Sequence, residues 1–243
     1  MPRDNQIVSV GRLIEKKGFD DLIRACAIVG EEGSMRFRCV VVGEGPLEPE
    51  LQALADELGV HDELELAGAQ SQKEIVSLLS QARVFALPCV TEQGGGKDNL
   101  PTVIMEAMAA SLPCVSTCLA GVPEMVVDGE TGLLAEERQP EAIAESIRLL
   151  LADRGMAERM GEAGQRRARE LFAKEKTARS LRDALISHGR LRFDRGLVKG
   201  DPGISGRYMA GLLRSLLGRL RRQKPSRFAR ADRQARRERA GSG

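Results

Sequence analysis

An α/β domain built on a doubly wound parallel sheet is expected here, and three observations carry it. Short, nearly unbroken apolar runs (QIVSV, FRCVVV, VFAL, PCVS) alternate with segments whose apolar residues recur at helical spacing. Glycine- or proline-rich loops join strand to helix: GRLIEKKG after the first run, GEGP after the second, PCVTEQGGGKDNLP after the fourth. Strands alternating with helices at such intervals form right-handed βαβ units, hence a parallel sheet with helices on both faces.

The first strand spans 6–10, and a loop leads from it to a helix over 19–29. A second strand, 37–42, ends in Gly43-Glu44-Gly45-Pro46. Leu47, Leu51, Leu54, Ala55 and Leu58 then mark a helix with proline near its first turn, where the missing N–H has no partner to lose. Residues 63–67 are a third strand. Over 71–80 a helix is predicted, opened by a capping box of Ser71 and Glu74. The fourth strand, 84–87, leads through the glycine-rich loop to a helix beginning near Leu100 and Pro101. Strands over 113–116 and 132–135 flank a short helix over 122–127, the last strand following a DGETG turn. Helices are expected over 140–151, 156–172 and 177–187, with Gly155 and residues 173–175 as interruptions.

These elements define a domain over residues 1–189, and the rest is an extension of different character. Residues 190–205 are rich in glycine and charge and are expected to be a linker. In 206–222, Met209, Leu212, Leu213, Leu216, Leu217 and Leu220 share one helix face among arginines. Such a basic amphipathic helix either lies in an anionic membrane interface or docks on another domain or subunit. Residues 223–243, arginine-rich and poor in apolar side chains, are expected to be disordered. Residues 190–243 carry a net +12; subtracted from the whole-chain +2, this leaves −10 for residues 1–189.

Composition excludes several classes. With 243 residues the chain makes one large or two small domains. It has no Trp and one Tyr, too few rings for a nucleic-acid binder that stacks bases, and basic residues alone give only non-specific phosphate affinity. Nucleic acid is therefore not the expected partner. Five cysteines without a C-x-x-C pair argue for reduced thiols in a cytoplasmic protein and against a zinc site. No signal sequence appears, and no run approaches the ~20 apolar residues that span a bilayer, so the expected location is cytoplasmic, with peripheral attachment to the inner face of the membrane through 206–222 as one use of that segment.

Open α/β sheets bind ligands at the carboxyl ends of their strands, which directs attention to three loops. In the first, following Gly11, Arg12 and Lys17 offer two cations and helix-opening N–H groups to a diphosphate; a turn with exposed basic residues is the alternative. The second, Gly43-Glu44-Gly45-Pro46, fails as a dinucleotide fingerprint because G-x-G-x-x-G needs glycine where Glu48 stands, which disfavours a nicotinamide dehydrogenase. In the third, Asp98 stands eight residues before Glu106. From spacing alone these are either a helix cap with a solvated helix residue or a ligand-holding acid pair beside a helix N-terminus. His61 and His188 lie outside every such loop, so nothing in them activates a serine or cysteine nucleophile.

In order, GRLIEKKGFDDLI, VVGEGPL, LELAGAQSQKEI, FALPCVTEQGGGKDNLPTVIMEAMAASLPCVST and LAGVPEMVVDGETGLL resemble the carboxyl-terminal domain of glycosyltransferase family 4, over roughly residues 6–187. The resemblance implies one Rossmann-like half of a GT-B fold, holding a nucleotide sugar (UDP-, GDP- or ADP-linked) for transfer with retention of configuration and no metal or other cofactor. It implies that Arg12 and Lys17 grip the donor diphosphate. The family's two glutamates separated by seven residues map onto Asp98 and Glu106, Asp98 for hydroxyls of the donor sugar and Glu106 for those of the ribose; aspartate at the first position departs from the commoner glutamate. By the same resemblance, backbone amides of Asn99, Leu100 and Thr102 face the β-phosphate, Gly11 is donor-binding, Gly43 and Glu44 border the nucleoside, and residues 67–70, Ala67 and Gly68 among them, border the base edge. Glu124 is expected to be structural, a first-turn acid favoured by the helix dipole.

A complete enzyme of that kind has a second, amino-terminal Rossmann-like domain that binds acceptor, whereas Met1 precedes the first donor-domain strand by only a few residues. The expectation is a donor domain whose acceptor-binding half comes from another chain or a missing segment. A glycan or lipid-linked acceptor is the analogy drawn. The competing reading is a non-catalytic module that binds nucleotide sugars or associates with membranes.

Overall fold

Six strands run parallel in the order β3-β2-β1-β4-β5-β6 in the computed structural model, which describes residues 5–31 and 35–172. These residues fall within one compact unit, Met1–Ser187. In chain order the elements are β1 (Gln6–Val10), a 3-10 turn (Glu15–Lys17), α1 (Phe19–Glu31), β2 (Arg38–Val42), α2 (Glu48–Glu57), β3 (Leu64–Leu66), α3 (Gln72–Gln81), β4 (Val84–Leu87), α4 (Thr102–Ala109), β5 (Cys114–Thr117), α5 (Val122–Met125), β6 (Gly132–Ala135), α6 (Pro140–Ala152) and α7 (Arg154–Phe172). The expected doubly wound α/β sheet is thus present. The helix over 177–187, the linker 190–205, the amphipathic helix 206–222 and the tail 223–243 lie outside the described residues.

β4 and β5 are buried along their whole length, and β1 and β2 in all but their first residue. A sheet covered on both faces reads as continuous apolar runs, because neither face meets water. Its few hydroxyls are satisfied internally: Ser9 donates to the Ala86 carbonyl, Ser116 to Leu87 (2.6 Å) and Thr117 to Cys89. These bonds tie β1 to β4, and β5 to β4 and the residues just after it, and give each of the three hydroxyls a partner. Phe19, Phe85, Ile7, Leu13 and Leu22 are among the largest fully buried side chains, each contributing about 1.5–3 kcal/mol by leaving water.

The winding reverses at the centre. β1 pairs with β2 from Gln6↔Arg38 to Val10↔Val42 and with β4 at Ile7↔Val84 and Val8↔Phe85. From β1 the chain passes through α1 to β2 on one side; from β4 it passes through α4 to β5 on the other. Right-handed crossovers then put α1 and α4 on opposite faces, α1 beside α2 and α6, α4 beside α7. The loops leaving β1 and β4 diverge and open a crevice at the topological switch point, where open α/β sheets bind ligands.

Several boundaries differ from the expectation. Pro101 caps α4 from outside it (φ −70°, ψ 93°), so the helix starts at Thr102. The break between α6 and α7 is Asp153, in extended conformation, while Gly155 lies inside α7. Asp153 makes the new start because its carboxylate accepts the Met156 amide (2.8 Å), serving an N–H that no helical carbonyl reaches. Strands expected over 37–42, 63–67 and 113–116 occupy Arg38–Val42, Leu64–Leu66 and Cys114–Thr117, and the helix over 122–127 stops at Met125. The Ser71–Glu74 capping box is present in both directions, Glu74 N–H to Ser71 Oγ (3.3 Å) and Ser71 N–H to the Glu74 carboxylate (2.7 Å). Among the described residues no helix is long and apolar enough to cross a membrane.

Candidate functional site

Three loops lie side by side along the carboxyl edge, held together by backbone. Gly11 N–H donates to the Val42 carbonyl (2.9 Å), Leu13 N–H to Glu44 (2.9 Å), and Gly43 N–H to Gly68 (2.9 Å). The loops approach so closely that a Cβ added at Gly43, whose φ is +146°, would stand 1.8 Å from the Gly11 carbonyl oxygen; one added at Gly45 would stand 2.2 Å from that of Leu13. Only glycine fits there. Gln70 donates to the Ala67 carbonyl (2.8 Å), closing the loop after β3. Gly11, Gly43, Glu44, Ala67 and Gly68 therefore form one continuous margin.

The loop after β1 meets the one after β4 at Gly18. In the left-handed conformation (φ 63°), Gly18 ends the 3-10 turn and lies against Pro88, while Val90 N–H donates to the Lys16 carbonyl (3.2 Å). Just before this contact, Lys17 extends its ammonium to Asp98, Nζ to Oδ2 2.6 Å, with the two side chains 12% and 18% exposed. Its stem passes Gly11, where an added Cβ would stand 3.2 Å from Lys17 Cε. The two residues expected to serve diphosphate and sugar are thus direct partners across the switch point. An ammonium has three donors, so Lys17 can keep Asp98 and still offer hydrogens to an anion.

Arg12 and Glu106 complete the set without joining that pair. Both are exposed, Arg12 in the loop after β1 and Glu106 on α4, and neither makes an ion pair among the described residues. The amides of Thr102 and Val103 open α4 at the positive end of its dipole, whereas the next one, Ile104 N–H, is taken by the Pro101 carbonyl (3.0 Å). Leu100 and Asn99 precede them, and Asn99 is fixed from α5: its carbonyl accepts Gly121 N–H (3.1 Å), and a Cβ at Gly121 would stand 2.5 Å from it. Glu124 lies in the first turn of α5 as expected, and its carbonyl accepts from Arg167 (2.8 Å). Motif reading passed over Gly18 and Gly121; their signal is glycine beside a functional residue, visible only once the facing backbone is known.

Four cysteines are buried and Cys118 is exposed; none is in a disulfide. Cys89 lies near Lys17 and Asp98, and burial, the largest influence, pushes its thiol up to about 12 despite the opposing Lys17 ammonium. It stays protonated and is no nucleophile at neutral pH. Among the described residues no group of three or more His, Cys, Asp or Glu could hold a metal ion.

Comparison with known proteins adds the family. The putative colanic acid biosynthesis glycosyltransferase WcaL of Escherichia coli K12 is 38% identical over 142 residues, covering 58% of this chain and 35% of that protein. The GDP-mannose-dependent alpha-(1-6)-phosphatidylinositol monomannoside mannosyltransferase of Mycobacterium tuberculosis is 36% identical over 166 residues, covering 65% and 41%. The chain thus spans about two fifths or less of the length of these curated relatives. Among solved structures, sucrose-phosphate synthase from Thermosynechococcus elongatus superposes with a TM-score of 0.66 at 25% identity, over 79% of this chain and 47% of that one. Residues 2–167, more than half of the chain, match the family described as Glycosyl transferases group 1, and the chain belongs to that family.

Proposed function

We propose that this chain is the donor-binding half of a retaining glycosyltransferase that uses a nucleotide-diphosphate sugar. The observation that carries this reading is the Lys17–Asp98 pair at the switch point, with Arg12 on the same loop as Lys17 and the N-terminus of α4 following Asp98. A diphosphate would lie against Arg12, Lys17 and the opening amides of α4. As the bond from the anomeric carbon to the β-phosphate oxygen breaks, negative charge grows on that oxygen, and preorganised donors favour this state over the ground state. Fixed cations serve that purpose without a divalent ion. Asp98, already oriented by Lys17, accepts from hydroxyls of the transferred sugar, and Glu106 accepts from the ribose. The margin of Gly11, Gly43, Glu44, Ala67 and Gly68 offers a backbone surface to the nucleoside. The acceptor, a glycan or lipid-linked glycan, is held by the other, acceptor-binding half of the enzyme.

Isothermal titration with GDP-mannose, UDP-glucose and ADP-glucose, with and without chelator, tests this reading. GDP-mannose leads the panel because one relative is named for its dependence on it. Saturable binding of one donor, unaffected by chelator and weakened by Arg12→Ala or Glu106→Gln, is expected. No binding of any of the three overturns the proposal.

A further inference from the structure

The root of the glycine-rich loop is held by one backbone carbonyl and by two carboxylates that the donor site does not use. Three of its amides reach three different places: Val90 N–H to the Lys16 carbonyl (3.2 Å), Thr91 N–H to the Glu137 carboxylate, and Gln93 N–H to Glu15 Oε1 (3.1 Å). Glu15 is in turn fixed by Arg138, whose guanidinium spans Glu15 (3.2 Å) and Asp20 (3.0 Å). Arg138 follows β6 and takes a left-handed backbone (φ 60°), unusual without glycine or asparagine. Beyond this root the loop closes on itself through Gly95 N–H to the Glu92 carbonyl (2.7 Å) and Glu92 N–H to Gly96 (3.0 Å), and then delivers Asp98 to Lys17.

We propose that Glu15 and Glu137 are positioning residues, two carboxylates that seize the amides of Gln93 and Thr91 and so set the loop where Asp98 meets Lys17 and the donor sugar. This rests on the donor-site reading above. The Glu15 arm of the clasp, with Arg138, lines a groove of about 890 Å³ between α1 and α2 and faces water, Glu15, Asp20 and Arg138 each being 36–44% exposed, while Glu137 is half-buried outside that groove. Ion pairs so exposed contribute little to folding. A carboxylate receiving a backbone N–H is, by contrast, a strong and directional acceptor. The arrangement therefore governs where the loop stands rather than whether the domain folds. Arg138 aims Glu15 and leaves one of its oxygens shared with Gln93.

The test compares Glu15→Ala and Glu137→Ala with Glu15→Gln and Glu137→Gln, whose amide oxygens still accept an N–H, and with Arg138→Gly, which relieves the backbone while removing the guanidinium. Hydrogen exchange at the Thr91 and Gln93 amides is followed by NMR, donor affinity by titration with the nucleotide sugar that wild type binds, and folding by thermal melts. Faster exchange and about tenfold weaker donor binding in the alanine variants and Arg138→Gly, recovery in the glutamine variants and unchanged melting are expected. Unchanged exchange in both alanine variants overturns the clasp, and faster exchange with undiminished donor affinity overturns its positioning role. If wild type binds no nucleotide sugar, the donor-site reading fails and takes the positioning role with it, while the exchange data still report whether the clasp exists.

Discussion

Replacing Gly18 with alanine should damage this protein more than any ordinary surface substitution. The backbone there has φ 63°, which costs a residue with a Cβ about 1–2 kcal/mol. The new methyl would also stand 1.9 Å from the Pro88 carbonyl oxygen, well inside contact distance, so the end of β4 must yield. Overpacking of that kind costs about 1–3 kcal/mol, partly offset by ~0.4–1 kcal/mol from a stiffer unfolded chain. The net loss is about 2–4 kcal/mol, measured as a shift in urea midpoint at constant slope. Gly59→Ala is the internal control: φ is +67° but no atom lies within 4 Å of the added Cβ, so only the conformational cost of about 1 kcal/mol applies. Because Gly18 follows Lys17 and Pro88 leads toward Asp98, donor affinity should fall further in Gly18→Ala than in Gly59→Ala. If the two variants lose stability equally, within ~0.5 kcal/mol, the Pro88 contact is not the source of the cost and the reasoning fails.

Three further outcomes are expected. A double-mutant cycle of Lys17→Met and Asp98→Asn should give a coupling of about 1–3 kcal/mol, between the values for exposed and buried pairs; urea titrations showing under ~0.5 kcal/mol would mean the pair is not held in solution. Asp21 is 5% exposed with an unpartnered Oδ2, and burial first, then Asp20, raises its pKa from 3.8 to about 6 against the pull of Arg138 and Arg24. The folded state therefore binds its proton more tightly than the unfolded state, so this contribution is fully present below pH 3.8 and lost as pH rises through about 6. Asp21→Asn should flatten that dependence and gain up to ~3 kcal/mol over wild type at pH 7.5, read from urea midpoints across pH 4–8. Finally, a thiol reagent should modify Cys118 rapidly in the native protein and the four buried cysteines only on denaturation, resolved by mass spectrometry.

The individual elements could be recognised in the chain because each is encoded within a few residues. VFAL and CVVV signal strands buried on both faces, the spacing of Leu47, Leu51 and Leu54 marks α2, and Ser71 with Glu74 announces the start of α3. Pro101 and Gly155 misled because each is a general punctuator, while the residue that breaks α6 from α7 is Asp153, whose side chain caps the next turn. Lys17 and Asp98 both stand out in the sequence, Lys17 by its loop and Asp98 by its spacing from Glu106 and by family likeness. That the two touch is another kind of fact.

Short-range propensity and apolar periodicity were enough to specify an α/β sheet and the loops that bear its chemistry, because those signals act over one or two turns of chain. The Lys17–Asp98 pair joins residues 81 apart, and Arg138 reaches Glu15 across 123. Such meetings depend on β1 lying next to β4 and on the loops after β1, β4 and β6 emerging at the same edge. No local rule encodes that adjacency. It arises when strand order, crossover handedness and register together bring distant loops within reach of one hydrogen bond.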